Sequence, residues 1–299
     1  MHLNRVAGET SAYAVPPLPV VTRTTVGPVE HTRAGTGPAF LALHGGMGGY
    51  DQSWLLARAL LADLSNHNVL GLSRPGYLGT PQSLGRTPES QANLYARLLD
   101  ALGIERAVVA AVSAGGPSAI QFALLHPDRC ARLILVSTAT GPLETAPAFL
   151  ARLRKMAWLA RVPGLIPLMR RRALNNLMAS AVRSMPDPAT AERTLAHPQA
   201  GALFAALQRS ALTHVTRRLP GTVTDTTHYQ SMPAPPYHRI TAPILVIHGD
   251  ADPVVPVSHA RHVLEAAPQA TRLILPGGHT ALFSHLDAIR KAVDDFMVR

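Results

Sequence analysis

The stretch Val108-Val109-Ala110-Ala111-Val112-Ser113-Ala114-Gly115-Gly116-Pro117 decides how the 299-residue chain is read. An apolar, partly β-branched run ends in a serine flanked by small residues. Ser118 to Leu125 then reads as a helix. A strand that becomes a helix within one residue forces the corner residue into strained backbone geometry. Small neighbours are needed there, because bulkier side chains would meet the adjacent strand and helix. Such a turn lifts the serine hydroxyl above the sheet and aims the N-terminus of the next helix at it. The usual pattern carries glycine two residues before the serine; here that position is Ala111.

Working outward, short apolar runs alternate with helical spacing. Strands are expected at 24–31, 39–43, 69–72, 107–112, 133–136, 244–247 and 273–275, with helices at 50–64, 88–102, 257–267 and 281–297. This rhythm implies an α/β fold: a mostly parallel sheet covered by helices on both faces. The span 141–235 breaks the rhythm, offers no strand, and reads as an inserted helical cap. The expected organisation is an N-terminal arm at 1–22, a core at 23–140 and 236–299, and the cap between its two parts.

Composition narrows the class. A 47% hydrophobic content supports a sizeable core, and the single cysteine, Cys130, permits no internal disulfide. The N-terminal stretch lacks the apolar block of a secretory leader, and no run of about 18 apolar residues is present. A soluble, cytoplasmic protein is therefore expected. The net charge of +10 is almost all arginine, with lysine only at 155 and 291. No His-x-x-x-His, Cys-x-x-Cys or His-Glu-x-x-His spacing occurs, so neither a metal nor any other cofactor is expected. The glycines at 45–49 lack the third glycine, the acidic residue and the Lys-Ser/Thr of nucleotide cradles.

A serine hydroxyl needs a base, the base needs an acid, and the developing oxyanion needs fixed N–H donors. The base candidate is His279, after the strand 273–275 and two glycines, with His285 as runner-up. The acid candidates are Asp250 and Asp252, both directly after the strand 244–247. For the oxyanion, the N–H following the nucleophile belongs to Ala114. The second donor is Gly46, or alternatively Met47, in the loop His44-Gly45-Gly46-Met47-Gly48-Gly49. His44 is read as a pin for that loop.

Together these segments, with Ser73-Arg74-Pro75-Gly76-Tyr77-Leu78-Gly79, resemble the α/β-hydrolase superfamily, in particular its lidded esterase and iminopeptidase-like branch. The resemblance spans about residues 24–295 apart from the cap. It implies catalysis by Ser113, His279 and Asp252, the last favoured over Asp250 by its spacing from Gly249, and a structural role for the Arg74–Gly79 turn. It also implies hydrolysis through an acyl-enzyme. The expected substrate is a small-molecule acyl ester. A carbon–carbon bond hydrolase, an acyltransferase or an aminopeptidase on the same triad are alternatives, as is a non-catalytic receptor of this fold. Only Glu144, Asp187, Glu192 and Asp225 could hold a peptide amine in the cap, and they are widely spaced, which ranks ester above peptide hydrolysis.

The cap carries Arg152, Arg154, Lys155, Arg161, Arg170, Arg171, Arg172 and Arg183 with no acidic residue among them. They are read as a solvated face, or as attraction to anionic acyl substrates or weakly to a membrane surface. Aromatic platforms are nearly absent, so no nucleic acid is expected. Met47 and Trp158 are the candidate pocket residues. The sequence assigns no oligomeric state.

Overall fold

A computed structural model describes residues 13–144, 147–185 and 187–298. Eight strands form one sheet: β1 (Val20–Arg23), β2 (Pro28–Ala34), β3 (Ala39–Leu43), β4 (Asn68–Leu72), β5 (Ala107–Val112), β6 (Cys130–Val136), β7 (Ile244–Gly249) and β8 (Thr271–Leu275). Their spatial order is β1-β2-β4-β3-β5-β6-β7-β8. The β1–β2 and β2–β4 pairs are antiparallel, and every later pair is parallel.

The parallel strands alternate between two cores with the two-residue period of a pleated sheet. Phe40, Ala42, Val108, Ala110, Ile134, Val136, Leu245 and Ile247 face α1 (Tyr50–Leu60) and the C-terminal helix. Leu41, Leu43, Val109, Ala111, Leu133, Leu135, Ile244 and Val246 face α2 (Pro88–Ala101) and α3 (Gly116–Leu125). Apolar residues on both phases are what a sheet buried on both faces requires.

Between β6 and β7 stand six helices among the described residues: α4 (Pro147–Leu159), α5 (Leu165–Asn175), α6 (Leu177–Ser184), α7 (Pro188–Ala196), α8 (Pro198–Ala211) and α9 (Val215–Tyr229). This insertion rests on the sheet through α8, whose Leu203 and Phe204 enter the α1-side core. After β7 come α10 (Ser258–Ala266), α11 (Ala281–Ser284) and α12 (Leu286–Met297). The helix expected at 281–297 is thus two, broken at His285, where φ is −128°.

The expected strand at 24–31 is instead a hairpin. Thr24 and Gly27 exchange backbone hydrogen bonds, and Thr24 Oγ1 donates to Gly27 O. The first strand, β1, therefore lies partly inside the span read as an N-terminal arm. Residues 1–12 of that arm lie outside the described residues. Tyr13 is tied down, its hydroxyl donating to Arg58 O.

Candidate functional site

Four loops at the C-terminal ends of β3, β5, β7 and β8 converge, the position where open α/β sheets bind ligands. At the end of β5, Ser113 has φ +52°. A non-glycine residue there carries about 1–3 kcal/mol of strain, held in place by its surroundings. Those surroundings demand small residues: a Cβ on Gly115 would lie 2.8 Å from the carbonyl oxygens of Leu43 and His44.

His279, from the β8–α11 loop, links the other two loops. Its Nε2 lies 3.0 Å from Ser113 Oγ, and its Nδ1 lies 2.7 Å from Asp252 Oδ2. The Asp252 carboxylate is fully buried, and its Oδ1 accepts the Val254 and Val255 N–H groups. Burial alone would raise its pKa. The hydrogen bond and charge of His279, with the two backbone donors, outweigh this and hold it below the usual carboxylate value. Asp250 does different work: its Oδ1 accepts the Gly277 N–H and ties the β7 loop to the β8 loop. His285 stands at the N-cap position of α12 without capping it, its ring hydrogen-bonded to the Ser284 hydroxyl instead. Sequence reasoning missed His248, a buried residue of β7 whose Nε2 donates to Val255 O beneath the Asp252 turn. Burial depresses its pKa and keeps it neutral.

The Gly-rich loop after β3 packs against Ser113. His44 is buried and held far below its usual pKa, by burial and by the Arg74 charge. Its neutral ring donates from Nδ1 to Gly45 O and accepts the Arg74 N–H at Nε2. Among the described residues, the Gly46 and Ala114 N–H groups have no protein acceptor. The Met47 N–H is occupied, donating to Thr222 Oγ1 at 2.9 Å.

That threonine belongs to α9, whose inner face grips the site. Arg218, Thr222 and Asp225 recur at i, i+4 and i+7 and so share one side of the helix. Arg218 makes a bidentate pair with Asp51, at 3.1 and 2.7 Å, and also reaches Met47 O. Asp225 makes a bidentate pair with Arg74, at 3.1 and 2.6 Å, and accepts the Tyr77 hydroxyl. Arg74 Nε in turn donates to His44 O. Burial opposes the charge on Arg74, but Asp225 and the surrounding oxygens push its pKa well above normal.

Pro220 interrupts α9 between these contacts. With the helix ladder opened there, the Gly221 N–H donates to Gly76 O and Arg217 O accepts the Leu78 N–H, both at 2.9 Å. Only glycine fits at 221, since a Cβ would sit 2.2 Å from the Tyr77 ring.

Met47 packs beside Leu153, Val215 and Leu219, an apolar patch shared between the Gly-rich loop and the insertion. Trp158, expected in the pocket, is instead 62% exposed on α4. The inward positions of that helix are taken by Leu153, Met156 and Ala157, with Ala160 just past its end packing the same way, and Trp158 falls on the opposite side. A cavity of about 480 Å³ along α2 is lined by Leu94, Arg97, His126 and Arg129, and by none of the converging residues. No group of three or more potential metal ligands occurs among the described residues.

A sequence profile of the α/β hydrolase fold family matches residues 38–286. The chain belongs to that family. This α/β hydrolase is 27% identical over 281 residues to a 2-hydroxy-6-oxononadienedioate/2-hydroxy-6-oxononatrienedioate hydrolase of Burkholderia vietnamiensis, covering 91% of each chain. It is 36% identical over 114 residues to an uncharacterized hydrolase of Bacillus subtilis, 38% of this chain and 39% of that one. An α/β hydrolase fold protein from Nakamurella multipartita superposes with a TM-score of 0.78 at 28% identity, covering 93% of this hydrolase and 98% of the other.

Proposed function

We propose that this hydrolase is a serine esterase that cleaves carboxylic esters through an acyl-enzyme. The observation that carries the reading is the double contact of His279, 3.0 Å from Ser113 Oγ and 2.7 Å from Asp252 Oδ2. In the acylation step Ser113 Oγ bonds to the ester carbonyl carbon while its proton passes to His279 Nε2. Asp252 accepts from Nδ1, which fixes the tautomer and stabilises the imidazolium. The carbonyl oxygen becomes an anion and takes the Gly46 and Ala114 N–H groups. Met47 N–H does not serve, because Thr222 already occupies it. Collapse of the intermediate breaks the carbon–oxygen bond, and His279 returns the proton to the departing alcohol. Water repeats the sequence on the acyl-serine and releases the acid.

The acyl group is assigned to the apolar patch of Met47, Leu153, Val215 and Leu219, which suits small or medium chains. In this reading the insertion covers the site as a cap. Carbon–carbon hydrolysis on the same three residues is the second reading, favoured by the dienedioate hydrolase likeness. It is ranked lower because a dioate needs cationic partners. The two arginines bracketing the Gly-rich loop, Arg74 and Arg218, are already neutralised by Asp225 and Asp51.

Hydrolysis of p-nitrophenyl acetate and butyrate tests the proposal. Ser113→Ala should reduce turnover by about a thousandfold or more. Equal rates for the wild type and the variant would overturn it and favour a receptor. A dienedioate turned over much faster than any ester in a panel would select the second reading.

A further inference from the structure

We propose that the outward face of α4 and α5 is a docking surface for anionic lipid bilayers. The two sides of α4 differ sharply. Leu153, Met156 and Ala157 turn toward Val215, Leu219 and Met47, as does Ala160 just past the helix end. At the angular step of an α-helix, Arg154, Lys155 and Trp158 fall on the other side. All three are exposed, Trp158 by 62%. The turn after α4 exposes Arg161, Val162 and Pro163, and α5 continues the pattern. Ile166 packs inward, while Leu168, 62% exposed, stands next to the exposed Arg171 and Arg172.

The charge on this face is unbalanced. The sequence has no aspartate or glutamate between Glu144 and Asp187. No ion pair involves Arg152, Arg154, Lys155, Arg161, Arg171 or Arg172 among the described residues. A solvated face explains such cations alone; it does not explain a tryptophan, a valine and a leucine interleaved with them. Aromatic and aliphatic side chains among cations match the boundary between headgroups and acyl chains. Trp158, Val162 and Leu168 would enter the apolar edge while the cations meet lipid phosphates. A second copy of the chain would bring two strongly positive faces together. Nucleic acid would use the cations but gain nothing from Val162 and Leu168, and finds one aromatic platform where a strand needs several. No helix among the described residues is long and apolar enough to cross a membrane, so the contact proposed is peripheral.

The test is partitioning of the full chain onto vesicles of phosphatidylcholine alone or with phosphatidylglycerol. The chain has two tryptophans, and Trp54 is buried in the core, so an emission shift on binding reports Trp158. Expected are co-sedimentation and a blue shift with the anionic vesicles only, both reversed by high salt. Arg171→Ala with Arg172→Ala should weaken partitioning about thirtyfold, and Trp158→Ala should weaken it and abolish the shift. Thermal melting and ester turnover of these variants should match the wild type, which excludes unfolding as the cause. Equal partitioning onto uncharged vesicles, wild-type binding by both variants, tighter binding to a DNA duplex, or dimerisation that buries Trp158 would each overturn the proposal. Vesicle binding needs no turnover, so its failure and that of the esterase reading are separable.

Discussion

On the inner side of the insertion, Arg218 is 1% exposed and holds Asp51 through two hydrogen bonds, while Asp225 holds the equally buried Arg74. On the outer side, Arg154, Arg161, Arg171 and Arg172 stand in solvent with no acid beside them. The residue type is the same, and the helices belong to one insertion. The inner arginines are fixed by bidentate geometry in a dry environment, where such pairs hold position. The outer ones are free to meet a partner. One insertion thus has a fixed interior and an unsatisfied exterior. The fixed part bears on the loop that would stabilise the oxyanion.

The sharpest way to break this contrast is Asp225→Asn. It leaves the Arg74 guanidinium buried without a counter-charge, and chemical denaturation should show a loss of about 3–5 kcal/mol. Thr222→Val is smaller and more local. It removes the acceptor of the Met47 N–H at nearly constant shape. A stability loss of about 1–3 kcal/mol is expected, with kcat for an ester falling about ten- to a hundredfold at little change in KM. Unchanged kcat would separate α9 from the oxyanion loop.

A pH series probes the core with a different charge. Burial lowers the His259 pKa to about 4, and its Nδ1 accepts the Thr140 N–H. The unfolded chain binds that proton near pH 6.5, so this stabilisation is complete above pH 6.5 and is lost as pH falls toward 4. His31, His44 and His248 are shifted the same way by burial. The wild-type Tm should fall by several degrees from pH 7 to pH 5, and His259→Gln should flatten part of that slope. The smallest effect belongs to the outer face: Arg171→Ala with Arg172→Ala should leave stability within about 0.5 kcal/mol.

What was legible in the sequence was local. Ser113, Asp252 and His279 each follow an apolar strand within a few residues, and the sheet brings strand ends together. Asp250 and Asp252 could not be separated by composition, since both suit a turn. The structure separates them by which β8-loop partner each meets, the Gly277 N–H or the His279 ring. β1 escaped notice because Val20 to Arg23 is short and mostly exposed, with no alternation to betray it. The α9 contacts were beyond reach for another reason. Asp51, Arg74 and Met47 lie 151 to 175 residues from their partners, and a buried arginine reads like an exposed one. Trp158 could have been placed from its helical phase against Leu153, Met156 and Ala160.

The opened turn at Pro220 has a mechanical consequence. Gly221 and Arg217 spend their backbone groups on Gly76 and Leu78 rather than on their own helix. A swing of the whole insertion away from the sheet would therefore tear main-chain hydrogen bonds as well as two ion pairs. α9 behaves as a post anchored in the core. α8 is held as well, through Leu203 and Phe204 in the α1-side core, so the insertion is fastened to the sheet at both of its last two helices.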